Sequence, residues 1–481
     1  VQQIKDSITV KNPIIAYIIV FVWAAFSSYL AVRPSPRLMI IFLGLTGLVL
    51  LLLPFKYYLY LAVIWGLARN PSYSFVMSIN VAGFNFYYMD LLSIVLFASL
   101  AVEFFLKKAD LKTSPMFWAF MLFNVLWIVQ LIRGVNLGYH PNHLRTSARN
   151  LIYFFYIFPV AYYLTPKNSI NKFVKVLLIG WTFCIFRYFL NYFGIFGASR
   201  VNLTWRLLWP PILNSMWFLP FLFLVISLSY KPDIEKHKWV YWAILIVTLA
   251  SIFSTQTRTL YAIVVASVIP LFFIGVYVQP KNKKYKFFVN GVTLSLGIVL
   301  FSILVLRIAM GNDFVILLNS IIERSRAFLA VTREAAFATR IRQMYETVRM
   351  LGNNWKNWVF GLGVGVEWKA LFSFGFARID SLYFTILGQI GLLGLAVYFG
   401  IVLLWLQRGL YILIHNKYIE DNLVKAFGMT TPIAIIALII NGITSVAHYM
   451  TLSHVVLFVF WAMGTESIYL ELRKKLKTIS V

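Results

Sequence analysis

Charge is scarce in this 481-residue chain, and acidic charge is scarcest. Only 12% of the residues are charged, with 16 Asp and Glu against 43 Lys and Arg. A soluble domain carries about 25% charged residues, so a water-facing surface of ordinary size cannot be built here. There is one cysteine, Cys184, which excludes an intramolecular disulfide framework and gives no thiolate metal site. With so few carboxylates, no acidic cluster of the kind that binds a divalent cation is visible, and neither a metal nor a cofactor is expected. What is abundant is apolar surface: 61% of residues are hydrophobic and 18% aromatic. The expectation is an all-α polytopic integral membrane protein. That also turns the net charge of +27 away from nucleic acid and toward the two faces of a bilayer.

A spanning helix needs about 20 apolar residues. Apolar runs at 13–31, 38–54, 57–68, 89–106, 115–132, 150–165, 172–196, 212–230, 238–254, 259–278, 286–308, 391–407, 428–445 and 450–469 give about 12–14 transmembrane helices. The run at 57–68 is short and reads as the return arm of a hairpin turning at Pro54. Three regions follow: 1–308 with the first eleven spans, 309–390 as a large helical loop, and 391–481 with three closing spans and a tail. Cytoplasmic loops carry excess Lys and Arg. With both termini cytoplasmic, all lysines except Lys356 and Lys369 fall inside. The arginines do the opposite: apart from Arg408, Arg473 and the mid-span Arg187, they fall outside. The positive-inside rule accounts for the lysines only. A planar guanidinium matches two oxygens of a phosphate or carboxylate at once, which a lysine cannot do. External arginine therefore points to an anionic substrate, or else to lipid headgroups.

Within 309–390, residues 314–329 and 332–351 have helical periodicity, and Arg342, Glu346 and Arg349 recur at helical spacing. The Gly-rich GLGVG at 361–365 lacks the ending of a phosphate loop and reads as a tight backbone bend. The segment is either a folded cap over a cavity or an amphipathic helix lying on headgroups. Asp380 opens the next apolar helix, as an N-cap or as a functional carboxylate. Arg200, Arg206 and Asn214 stand at the mouth of one span. Arg258, in STQTRTLYAIV, lies between two spans, where a charge is costly unless it has a role; the alternative is snorkelling. His140 and His143 lack a third ligand, so residues 133–150 read as a loop without metal.

Three elements carry a family resemblance: Arg206 followed by Pro211, Asn214 and Pro220; Thr255-x-x-Arg258 at the outer end of a span; and FGLGVG with DSLYFTILGQIGLLGL before the closing spans. Together they resemble the O-antigen polymerase and O-antigen ligase superfamily of bacterial envelope enzymes, over roughly residues 200–470. The resemblance implies a GT-C-like membrane enzyme with a helical periplasmic loop, in the bacterial inner membrane. It implies metal-independent glycosyl transfer from an undecaprenyl-diphosphate-linked saccharide, with membrane lipids and a chain-length regulator or flippase as further partners. Arg258 and Asp380 would be catalytic, and Arg200, Arg206, Arg340, Arg342 and Arg349 would hold the diphosphate. Ligases of the superfamily show His-Asn where this chain has Asp380-Ser381, which favours a polymerase. A transporter of lipid-linked or anionic solutes is the different-class alternative, with Arg187 and Glu103 as its buried charges.

Overall fold

The computed structural model describes residues 78–81, 84–107, 113–164, 169–192, 238–255, 335–366, 368, 379, 381–444 and 452–479. Scattered helical positions at 22, 59, 60, 63, 285, 289, 297, 300, 303–304, 307–308, 314–315, 318–319 and 322 complete the set. In chain order the elements are β1 (Ser78–Val81), β2 (Phe84–Tyr87), α1 (Tyr88–Lys107), α2 (Pro115–Asn136), α3 (Pro141–Phe154), α4 (Ile157–Tyr163), α5 (Ser169–Tyr192) and α6 (Lys238–Thr255). Then follow α7 (Ala335–Gly352), α8 (Trp355–Phe360), α9 (Leu382–Ile414), α10 (Asn422–Thr444) and α11 (Leu452–Ile479).

The regular elements among the described residues are helices apart from β1 and β2, an antiparallel hairpin pairing Ser78 with Tyr87 and Val81 with Phe84. The composition, so rich in apolar residues, does not announce these strands. Three helices, α2, α9 and α10, are each long and apolar enough to cross a membrane. The spans expected at 38–54, 212–230 and 259–278 lie outside the described residues, as does the span expected at 13–31 apart from the helical Val22.

Contacts divide the chain into two units: residues 1–113 with 155–184, and residues 114–154 with 185–481. In the first, Leu59, Tyr60 and Val63 are helical and buried, and the Tyr60 and Tyr163 hydroxyls meet. The Tyr163 hydroxyl donates to the Ser169 carbonyl at 3.1 Å, and Ser93 Oγ lies 3.0 Å from the Tyr156 hydroxyl. Buried hydroxyls satisfy one another here, as buried polar groups must.

The second unit is built on α2, α9, α10 and α11. Ser114 caps α2 by accepting from the Phe117 N–H at 3.2 Å, with Pro115 at the first helical position, the favoured chemistry for a helix start. One face of α2 is buried through Phe120, Phe123, Asn124, Trp127 and Gln130. The opposite face exposes Trp118, Leu122, Val125, Val129 and Ile132 at helical spacing. An apolar stripe left outward along a 22-residue helix is the surface that hydrocarbon covers.

Two sequence expectations change here. Residues 133–150 are not all loop: α3 begins at Pro141 and contains His143. Residues 150–165 are not one span: the helix breaks at Phe155 and Tyr156 between α3 and α4. The amphipathic, Arg- and Asn-bearing sequence of α3 suits a partly exposed helix better than a spanning one.

The largest departure is in α9. Gly391 has φ 81° and ψ −171°, and the chain turns back on itself there. The Tyr383 ring stacks on Phe399 at 5.3 Å and lies 6.3 Å from Tyr398. Along one straight helix those sixteen residues would rise about 24 Å. α9 is thus a short arm, 382–390, folded against a long arm, 392–414. The long arm coincides with the span expected at 391–407; the sequence pattern DSLYFTILGQIGLLGL reads as one apolar run and hides the reversal.

Candidate functional site

The turn of the α9 hairpin is where distant parts of the second unit converge. Breaking a helix frees carbonyls of the preceding turn, and a buried free carbonyl needs a donor. The GLGVG segment supplies two: Leu362 N–H donates to Gly388 O at 2.7 Å, and Gly363 N–H to Gln389 O at 3.2 Å. On its other side, Val364 N–H donates to Gln130 O of α2 at 3.0 Å. The segment therefore joins the hairpin to α2 through backbone bonds on both sides.

This approach needs glycine. At Gly391 a Cβ would meet the Val359 carbonyl oxygen, and at Gly361 it would meet the Gln389 backbone. Both have positive φ, which only glycine takes without strain. The tight backbone bend expected at 361–365 is present, with positive φ at Gly361, Gly363 and Gly365.

Two side chains, one in the last turn of α2 and one just beyond it, fasten the segment. Arg133 donates through Nη1 to Gly361 O at 2.7 Å and through Nη2 to Asn357 Oδ1 at 3.1 Å. The Tyr139 hydroxyl donates to Leu362 O at 2.6 Å. Burial raises the Tyr139 hydroxyl above its ordinary 10.0, and the nearby Arg133 charge partly offsets this. Neither residue stands out in the sequence. Arg133 is one arginine among many near an apolar run, and the adjacent histidines draw the eye. His140 and His143 have ring centroids 5.9 Å apart, and no group of three metal-ligating side chains occurs among the described residues.

The short arm, 382–390, is enclosed. Ser381 Oγ donates to Gly442 O at 3.3 Å, and the Tyr383 hydroxyl to Ile439 O at 2.7 Å, tying the arm to α10. Ser381, Thr385 and Gln389 are buried. Ser381, with extended backbone (φ −94°, ψ 130°), occupies the N-cap position. Asp380, for which capping was one reading, is the residue before it. Asp380 itself lies outside the described residues, but both its neighbours, Ile379 and Ser381, are buried.

The helix α7 lies alongside. Its inner stripe is polar: Gln343, Glu346 and Thr347 are buried, with Arg340 half-buried on the same side. Gly388 of the short arm faces Trp368 and Thr347, leaving no room for a Cβ. Arg342 and Arg349 stand on the exposed side. Arg349 pairs with Glu346 at 2.8 Å and remains 63% exposed at its side chain. The three arginines expected to act together thus separate: Arg340 turns inward, whereas Arg342 and Arg349 turn outward. Arg200, Arg206 and Arg258 lie outside the described residues. Comparison with family models and with curated proteins returned no match.

Proposed function

We propose that this protein is a membrane glycosyltransferase that polymerises saccharide repeat units carried on a polyprenyl diphosphate, working at the outer face of a bacterial inner membrane. The observation that carries the reading is the enclosed short arm of α9. It begins next to Asp380, whose neighbours in the chain on both sides are buried. In the proposed reaction a carboxylate at this position removes the proton of the acceptor hydroxyl, and guanidinium groups stabilise the departing diphosphate. The acceptor hydroxyl attacks the anomeric carbon of the donor, Asp380 takes the hydroxyl proton, and the bond to the diphosphate breaks with inversion. Arg258, Arg206 and Arg340 hold the departing diphosphate, with Arg200 at the approach. The resemblance of 200–470 to O-antigen polymerases and ligases supports this chemistry, and Asp380-Ser381 in place of His-Asn supports the polymerase.

One observation favours a second reading. Half-helices meeting around a central point are a feature of transporters, and α9 consists of two arms meeting at Gly391. The test is incubation of the purified full-length protein with a polyprenyl-diphosphate-linked repeat unit. A ladder of longer lipid-linked glycans is the expected result. A single transfer to a lipid-core acceptor would make the protein a ligase. Translocation of the intact unit across proteoliposomes, without new glycosidic bonds, would make it a transporter and overturn the proposal.

A further inference from the structure

We infer that the outer side of α7, continued by α8, is a docking surface for anionic phospholipid headgroups. The inference goes beyond the transfer reaction and does not rest on it. The outward face of α7 is both apolar and cationic: Ile341 is 49% exposed, Tyr345 64% and Val348 37%, at i, i+4 and i+7. Exposed Arg342 and Arg349 flank them. The adjoining helix α8 exposes Trp355, at 67%, together with Lys356 and Phe360. Between residues 335 and 366 the chain has a single acidic residue, Glu346, and that carboxylate is buried against Arg349. The surface therefore offers positive charge and aromatic edges with no exposed carboxylate between them. A helix that joins a cationic border to an apolar stripe lies in the headgroup plane, with its apolar side toward the acyl chains, and Tyr and Trp are favoured at that depth.

Position in the fold supports the same occupant. α8 is fastened by Arg133, in the last turn of α2, and packs against the α9 turn through Val359 and Gly361. The first is the end of a helix able to cross a membrane, and the second is the start of the long arm of α9. The apolar stripe of α2 runs from Trp118 to Val135 and ends in the last turn of the helix, the turn that carries Arg133. Where that stripe ends, hydrocarbon ends, so α8 and the adjoining α7 stand at the level of the headgroups. Buried apolar side chains with several cations together make such docking firm, and each cation near an anionic surface strengthens it by about fivefold.

The experiment uses the full-length protein with Cys184→Ala, so that one introduced cysteine carries a fluorophore, either Tyr345→Cys or Val348→Cys. Each is reconstituted into vesicles of phosphatidylcholine alone or with added phosphatidylglycerol. Quenching is measured with lipid carrying a nitroxide near the headgroup and with aqueous iodide. The expected result is lipid quenching that grows with phosphatidylglycerol, and weak iodide quenching. In the Arg342→Gln/Lys356→Gln variant, which keeps the Glu346–Arg349 pair, the response to phosphatidylglycerol should fall several-fold, and high salt should mimic it. Strong iodide quenching at both positions in both vesicle types would overturn the inference. So would protection from both quenchers accompanied by cross-linking to a second copy, which would make the face a protein interface. Because glycan transfer is not read, failure here leaves the proposed reaction standing, and failure of the reaction leaves this surface standing.

Discussion

Two ends of the second unit are held together in opposite ways. Around the α9 turn, backbone meets backbone: glycines bring Leu362, Gly363 and Val364 against α9 and α2, and side chains only fasten the result. Farther along the long arm of α9, side chain meets side chain. Trp405 Nε1 donates to Thr465 Oγ1 at 3.0 Å, Trp461 Nε1 to Thr431 Oγ1 at 3.2 Å, and the two threonine hydroxyls lie 3.1 Å apart. Beside them Arg408 Nε sits 3.0 Å from Glu466 Oε2, with side chains only 11% and 1% exposed, and the guanidinium lies 3.8 Å from the Tyr469 ring centroid. The bundle end locks α9, α10 and α11 by pairing groups that cannot be left alone in an apolar interior. The turn end keeps the backbone bent at a position a regular helix cannot adopt. The first arrangement secures a scaffold; the second positions the short arm that begins beside Asp380.

The difference predicts different consequences of substitution. The largest effect is on the reaction. Asp380→Asn should lower the transfer rate by about 10²–10⁴ while leaving the thermal unfolding of the purified protein unchanged, because the cap of the short arm is Ser381. Parental ladder formation by the Asn variant would remove Asp380 from the chemistry.

Next come the bundle charges. Arg408→Met leaves Glu466 buried without its partner and should destabilise the protein by about 3–5 kcal/mol. The double variant Arg408→Met/Glu466→Leu should recover most of that loss, since apolar replacement of a buried pair is often neutral. Thermal unfolding followed by size-exclusion chromatography measures both. Equal instability of the single and double variants would show that the pair contributes by packing, not by charge.

At the turn, Gly391→Ala forces a Cβ toward the Val359 carbonyl at positive φ. The strained backbone alone should cost about 1–3 kcal/mol, read in the same unfolding assay. An alanine variant as stable as the parent would mean that the reversal in α9 is not what glycine is there to permit.

The smallest expected effect is at Tyr139. Tyr139→Phe removes one hydrogen bond to Leu362 O, worth about 0.5–1.5 kcal/mol. The sign of its pH dependence follows from burial, which raises the folded-state hydroxyl above 10.0. Its contribution is complete below that value and is lost as pH rises through the elevated folded-state value. The phenylalanine variant should therefore lose part of the alkaline instability of the parent, measured as the unfolding midpoint between neutral and strongly alkaline pH.

Much of the frame is determined by the sequence itself. Apolar runs of spanning length reflect the thickness of a bilayer, so the runs at 115–132 and 428–445 can be read without any tertiary knowledge, and they coincide with α2 and, as far as Thr444, with α10, both able to cross a membrane. The glycine run at 361–365 likewise shows that the backbone must bend, because no other residue has that freedom. What it bends against is a tertiary matter. Arg133 reaches Asn357 across more than two hundred residues, and no local pattern distinguishes it from the chain's other arginines. The inward and outward division of Arg340, Arg342 and Arg349 required knowing which side of α7 is covered. The reversal at Gly391 is the clearest case. Hydropathy is the same for an apolar helix that runs straight and for one folded back on itself. Only the stacking of Tyr383 on Phe399, and the carbonyls answered by Leu362 and Gly363, decide between them.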